Sequence, residues 1–465
     1  MAAALSMFDL HVRLTLGLIV TALLSACSGN TPDNPPDGAI RFIHAAPTVG
    51  SVDFLTVEVT QGAFGYGGSS ATFVADEGAY TINAEIANPD TATGLIRIIS
   101  EERSVTADNE ALLVLYDDGP EPAFTQYELP ITAVEAGNAE LVLLHAARGA
   151  PAVDIYIEAD GADLAAATPR ATLDFQEIGA PFTVATGNVR VTITPPGDPT
   201  TVLFQTPVVV PPDAASSVIA VLAGAGTTRS ALRANILERN SGSPILVQDD
   251  SAPSSHRLVH GAVTIGAVDV YASGDFSAPI QAAVAPRGIT DYVDVPGGET
   301  QIQITPAGNT GVIESDTSPL LVDGAFQTQV IAGTTGAVTT GFYVEDNRGI
   351  SSRVRFRIRN AAATFPLLDV YITTPGADIT DDDIIPLQFG LPVTGPELST
   401  LLQEGDYDLT FVENDDDADT ADTTIVAGPI PITWQRGRVY EVYAFDSDTA
   451  GQIDVQIADV TAPVP

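Results

Sequence analysis

The sequence predicts an all-β chain built as four tandem β-sandwich modules, antiparallel and immunoglobulin-like in plan. Three observations carry this reading. Short runs rich in β-branched residues alternate apolar with polar side chains and are separated by Gly, Pro, Asn and Asp, the pattern of half-buried strands joined by turns. No comparable segment repeats apolar residues at a spacing of 3.6, so helices are expected to be few. One frame recurs four times, which sets four modules where 465 residues at roughly 150 per domain would allow three.

The elements follow in order. Residues 1–26 place Arg13 ahead of an apolar run at 14–24 that is too short to span a bilayer, and small residues close it before Cys27. This is the pattern of a signal peptide. Residues 27–38 continue as a polar Pro/Gly/Asn stretch with nothing to bury, hence a flexible tether. Folded structure is expected from Ala39. The recurring frame reads IRFIHAAPTVGSVDF (40–54), LVLLHAARGAPAVDIY (141–156), HRLVHGAVTIGAVDVY (256–271) and RFRIRNAAATFPLLDVY (355–371). His44, His145, His260 and Asn360 each stand nine positions before an Asp: Asp53, Asp154, Asp269 and Asp369. Modules are therefore expected at 39–135, 136–250, 251–350 and 351–465, with exposed connections at 28–38, 241–255 and 347–352. Within the first, seven runs read as strands: IRFIHAA, SVDFLTVEV, SATFVAD, AYTINAEI, LIRIISEERSV, EALLVLYDD and AFTQYELP. In each module a Gly opens a later alternating strand, as in GAYTINAEI from Gly78 and GNVRVTITP from Gly187.

Charge narrows the function. Nineteen bases, all Arg, stand against sixty acids, for a net charge of −41. Without Lys the chain has no phosphate-binding loop of the Gly-Lys-Ser/Thr type, no Schiff-base nucleophile and no polybasic patch. So acidic a surface repels a phosphate backbone, and no nucleic-acid partner is expected.

Two resemblances follow from residues already quoted. Leu24-Ser25-Ala26-Cys27 resembles the lipobox of bacterial lipoproteins, which implies cleavage before Cys27 and diacylation of its thiol. Cys27 is the only Cys in the chain, so it has no disulfide partner within one molecule. Ser28 in the next position resembles lipoproteins sent on to an outer membrane, and two or three acyl chains anchor stably where one does not. The modules, with strand-His-Ala-x-Pro, a loop, Val-Asp-Val-Tyr and a later Gly-x-Tyr strand, resemble the bacterial domain-of-unknown-function family 4397. That family occurs in tandem copies on secreted and lipid-anchored proteins and has no assigned activity. The fourth module departs from the pattern, with Asn360 for His and Ala363-Thr364 where the Pro would fall.

Candidate residues are weighed on chemistry. His44 shares a strand face with Phe42, so the recurring His is expected in the core, bonded to backbone of the following loop. One or two His per module and no Cys fall short of the three or more ligands of a metal site. Asp53, Asp154, Asp269 and Asp369 are expected to face away from the core with Tyr156, Tyr271 or Tyr371, each capping a loop by accepting backbone N–H groups. Arg355, Arg357 and Arg359 line one face of a strand and are expected to pair with the protein's own carboxylates; an anionic polymer is the alternative ligand. Residues 413–422, ENDDDADTAD, cluster Glu413, Asp415, Asp416, Asp417, Asp419 and Asp422. A solvated acidic loop is the first reading and a Ca²⁺ site the second, because the spacing lacks the central Gly of an EF-hand. Asp381-Asp382-Asp383 is a similar, shorter run. No Gly-x-Ser-x-Gly or His-Glu-x-x-His occurs.

The expected function is that of a non-enzymatic envelope lipoprotein without a cofactor, lipid-anchored to an outer membrane and facing an envelope polysaccharide or protein partner. An envelope polysaccharide hydrolase using paired carboxylates and a calcium-dependent adhesin are the alternatives.

Overall fold

In the computed structural model the first sandwich begins at once with strand pairing. It describes residues 37–462 apart from 57, 58, 92, 93, 118, 120, 212, 382 and 415–423; Cys27, the signal segment and Asp415, Asp416, Asp417, Asp419 and Asp422 lie outside these. Eight strands make the first sandwich: β1 (Asp37–His44), β2 (Val52–Leu55), β3 (Thr60–Phe64), β4 (Phe73–Asp76), β5 (Gly78–Ala87), β6 (Leu95–Val105), β7 (Asn109–Tyr116) and β8 (Ala123–Pro130). The run SVDFLTVEV, read as one strand, is broken after Leu55. Thr56 N–H donates to Val59 O (2.8 Å) and Val59 N–H to the Thr56 hydroxyl (2.9 Å), a side-chain link that sequence periodicity does not register.

One sheet has the order β4-β1-β7-β8 and the other β3-β2-β5-β6. The first contains a parallel pair, β1 with β7, in a sandwich otherwise antiparallel. The parallel pair recurs three times, although one later sheet has six strands and a separate two-stranded sheet is added at Gly298–Glu299 and Leu320–Leu321. Asn138–Ala146 runs parallel to Ser216–Ala223, Ser254–His260 to Phe326–Thr334, and Val354–Ala361 to Val439–Asp446. Two one-turn 3₁₀ helices, Leu164–Ala166 and Val263–Ile265, are the helical elements among the described residues.

Strand alternation explains the cores. In β1, Ile40 and Phe42 point between the two sheets, where Phe42 stacks on Phe54 with centroids 4.7 Å apart. Ile43 points the other way and is equally buried, because the first sheets pack back to back in pairs, the first sandwich with the second and the third with the fourth. Ile43, Leu112 and Val114 meet Val142, Leu144, Val218 and Leu222 of the second sandwich. Val259 and Val330 of the third meet Ala361, Tyr443 and Phe445 of the fourth. Both faces of these strands are covered, which is why they read as nearly unbroken apolar runs.

The contacts go beyond these two back-to-back pairs. Arg229 of the second sandwich pairs with Asp294 of the third at 2.9 Å. Arg353, entering the fourth, donates to Asn88 O and Thr91 O of the first at 2.5 and 3.3 Å. Residues 36–465 form one compact unit. The connection at 347–352, expected to be exposed, is largely buried. Arg348 donates to Pro47 O and Val49 O (2.7 and 3.1 Å), Asn347 N–H donates to Gly226 O (3.0 Å), and Ser351 N–H donates to Thr48 O (2.8 Å). Gly349 lies so close to Gly437 that a Cβ would stand 2.2 Å from its carbonyl oxygen. The loop between Leu232–Glu238 and the edge strand Ile245–Val247 of the second sandwich is open, with residues 242–244 exposed. A broad-specificity protease acting on the folded region is therefore expected to cut at 242–244 well before 347–353, read by mass spectrometry of the first fragments. A first cut at 347–353 would show that the joint opens in solution.

Candidate functional site

The recurring polar residues hold loops. His44 ends β1 inside the first core, with Nε2–H donating to Gly50 O at 2.7 Å and Nδ1 accepting from Ala46 N–H at 3.3 Å. Those two bonds define the neutral Nε2–H tautomer. His145 makes the same pair with Pro151 O (3.0 Å) and Ala147 N–H (3.3 Å), and His260 bonds Gly266 O at 2.7 Å. Asn360 substitutes for the ring with a different group: its amide donates to Phe365 O at 2.8 Å and its carbonyl accepts Ala362 N–H at 2.9 Å. At His44, His145 and Asn360 one donor and one acceptor are aimed at the loop, which imidazole and carboxamide both supply; at His260 only the donor is used. Burial lowers the pKa of His44 to about 4 and also lowers those of His145 and His260, because the charged ring is poorly solvated there.

The recurring Asp side chains secure irregular backbone. Asp269 accepts Ala283 N–H (2.7 Å) and Gly308 N–H (2.8 Å). Asp369 accepts Gly390 N–H and the Asn414 amide, both at 2.7 Å. Asp53 accepts Ala63 N–H, and Asp154 accepts Gly197 N–H (2.7 Å) and the Thr172 hydroxyl. Ala63, Ala283 and Gly390 all have positive φ, at 55°, 49° and 57°. Each sits where the neighbouring edge strand slips register. A bulge leaves its N–H without a ladder partner, and the carboxylate satisfies it. Asp154 and Asp269 are buried with Tyr156 and Tyr271 beneath covering loops, on the face opposite the cores.

Buried charge collects where sandwiches meet. Arg41 sits at 1% exposure with Nε 3.0 Å from Glu110, which also holds Arg239 of the second sandwich at 3.1 Å. Between the third and fourth, Arg257, Arg357 and Arg359 converge on Glu345, Glu441 and Glu397. Arg359 lies 3.0 Å from Glu345 and 3.3 Å from Glu441, and its Nε donates to Glu397 at 2.7 Å. Arg357 reaches Glu441 at 3.0 Å and contacts Glu345; Arg257 contacts Glu441. Tyr443 Oη donates to Glu441 at 2.9 Å, and the Arg257 and Arg359 guanidinium groups lie over the rings of Tyr292 and Tyr343 at 4.7 and 4.3 Å. Burial alone would raise the Glu345 pKa, but Arg359, Arg357 and Arg257 outweigh it and hold the group down to about 2. Arg355 pairs instead with Asp346 at 2.9 Å. The sequence pointed to Arg357 and Arg359 but not to Arg257 or the glutamates, which come from separate strands and loops. Arg41, Arg257 and Arg357 each stand three residues before the recurring His or Asn, a shared spacing that marks the interface position.

Among the described residues no three His, Cys, Asp or Glu side chains come together in a way that could hold a metal ion. Glu413 ends its strand, exposed, at the edge of the described region. A groove of about 300 Å³ is lined by Glu158, Asp160, Arg190, Thr192 and Gln205; there Arg190 pairs with Asp160 and reaches out to Asp250. An open cleft of about 420 Å³ lies between Ile425–Ile430 and Gln452–Val455 of the fourth sandwich.

Back-to-back β-sandwiches with polar repeat positions bonded to backbone define a multi-sandwich scaffold. The family described as "Domain of unknown function (DUF4397)" matches residues 38–156 and 254–371, just over half of the chain, and the chain belongs to that family. Each match takes in one sandwich and the first two strands of the next, one of which packs on the sandwich before it. No curated protein matches the sequence. Among solved structures, the Bacillus anthracis TIE protein is similar at 8% identity over 89% of this chain and 69% of that one, with a TM-score of 0.16.

Proposed function

We propose that the chain is a non-enzymatic lipoprotein of the bacterial cell envelope, anchored to the outer membrane through Cys27. It presents four sandwiches, at 39–135, 136–250, 251–350 and 351–465, as one stiff body for binding, adhesion or spacing. The observation that carries this reading is the use made of the repeated His and Asp positions. Their hydrogen-bonding capacity goes to loop backbone, and the charges of the repeated strands go to the joints between sandwiches, so the shared residues serve shape. Leu24-Ser25-Ala26-Cys27 and the polar tether to residue 38 support the anchor. Replacing Cys27 with Ala is expected to move the protein from the detergent-extracted membrane fraction to the soluble one. Unchanged fractionation of the variant would overturn the lipid anchor.

A further inference from the structure

We propose that the free edge of the fourth sandwich's second sheet is a docking strip for a cationic, extended segment of a partner protein. The strand Gln388–Pro392 is the edge of a sheet whose other strands are Leu367–Thr373, Gly405–Glu413 and Ile425–Trp434. Leading into it, the usual alternation is inverted. Ile385, Leu387 and Phe389 are 73%, 40% and 61% exposed, while Pro386 between them is buried and Gln388 half-buried. Leu387 N–H donates to Val370 O at 2.8 Å, so this stretch is fixed to the sheet and its apolar side chains face solvent from an ordered backbone. The equivalent edges elsewhere expose small or polar residues: Thr60, Gly62 and Ala63 in the first sandwich, Ala282 and Ala283 in the third. An apolar edge of this kind is normally suppressed by charge, yet residues 384–392 carry none.

Asp378, Asp381 and Asp383, exposed just before the strip, and the composition of this stretch select the occupant. From residue 361 to 435, a stretch that includes every strand of the sheet, the sequence has fifteen acids and no Arg, Lys or His. A second copy of this chain, at −41, and an anionic lipid surface are both repelled. A partner with basic residues and apolar side chains at alternate positions is complementary. An extended segment places residues i, i+2 and i+4 on one face over about 13 Å, so alternate apolar side chains of a partner can face Ile385, Leu387 and Phe389.

This inference rests on the reading of the chain as a display protein and names the partner's chemistry. Its test uses the full chain and two labelled peptides of equal length, one alternating Lys and Val and one of Lys alone, with binding read by fluorescence anisotropy at about 0.15 M NaCl. The alternating peptide is expected to bind about tenfold tighter. The Leu387→Ser/Phe389→Ser variant should abolish that advantage, and Val74→Ser, at another exposed apolar site, should leave it intact. Equal binding of the two peptides, or an advantage that survives in the variant, would overturn the proposal. So would sedimentation showing a dimer of the chain that the same variant dissociates. If the variant does not fold, hydrogen exchange on the native chain decides: protection of 385–391 by the alternating peptide supports the strip, and none overturns it. Fractionation of the Cys27 variant reads the envelope assignment separately, so either result can fail alone.

Discussion

Glu345→Gln is expected to destabilise the protein by about 3–5 kcal/mol in chemical denaturation, the range for removing one member of a buried ion cluster. Glu345 is fully buried and stands within ion-pair distance of Arg257, Arg357 and Arg359. Three positive and three negative groups balance at this joint; neutralising one carboxylate leaves a guanidinium charge short of its counterion in a place water does not reach. The same residue gives the joint a pH dependence. Its folded pKa of about 2 lies below the ordinary 4.5, so its contribution is complete above pH 4.5 and is lost as pH falls through 2. A loss below 1 kcal/mol in the variant would mean that the joint admits water.

Acid should act earlier through histidine. Burial lowers the His44 pKa to about 4, and His256, whose Nε2 meets the Gln329 amide oxygen at 2.9 Å, is lowered to about 4 by the same cause. In the unfolded chain these rings titrate near 6.5. Between the two values the unfolded chain takes up protons that the fold refuses, so stability is full above about pH 6.5 and declines as pH falls toward 4. Each ring accounts for on the order of 3 kcal/mol once the pH is below its folded value. Protonating surface carboxylates reduces repulsion over an overlapping range, so the comparison has to be made between variants. Asn360 supplies the variant: His44→Asn keeps a donor and an acceptor for the loop and removes the titration. It is expected to match the parent within about 1 kcal/mol at pH 7 and to exceed it at pH 4.5, by denaturation at each pH. An unchanged slope between pH 4.5 and 6.5 would show that the ring is already solvated in the fold.

Much of this architecture was legible in the sequence, because period-two alternation and punctuating Gly and Pro are local signals. The nine-residue interval from His44 to Asp53, repeated through Asn360 and Asp369, marks a strand end, its loop and the next strand start, and the structure places all eight residues there. The back-to-back packing was harder to read. Ile43 and Val114 look like ordinary strand residues until both faces of IRFIHAA and EALLVLYDD are seen to be apolar. Glu345, Glu397 and Glu441 lie 52 and 44 residues apart, and no periodicity connects them. Nor does alternation say which face meets solvent, so nothing in the sequence marks Phe389 as exposed.

The pairing of first sheets also has a bearing on how such chains lengthen. A lone sandwich would present Ile43, Leu112 and Val114, or their counterparts, to water, so a gene that gained or lost one repeat would encode a protein with a bare apolar flank. A gain or loss of two leaves no flank bare. The spacing has the same two-sandwich period: His44 to His260 is 216 residues and His145 to Asn360 is 215, more regular than the 101, 115 and 100 between successive repeats. Relatives of different length are therefore expected to differ by even numbers of sandwiches, which a comparison of their repeat counts checks.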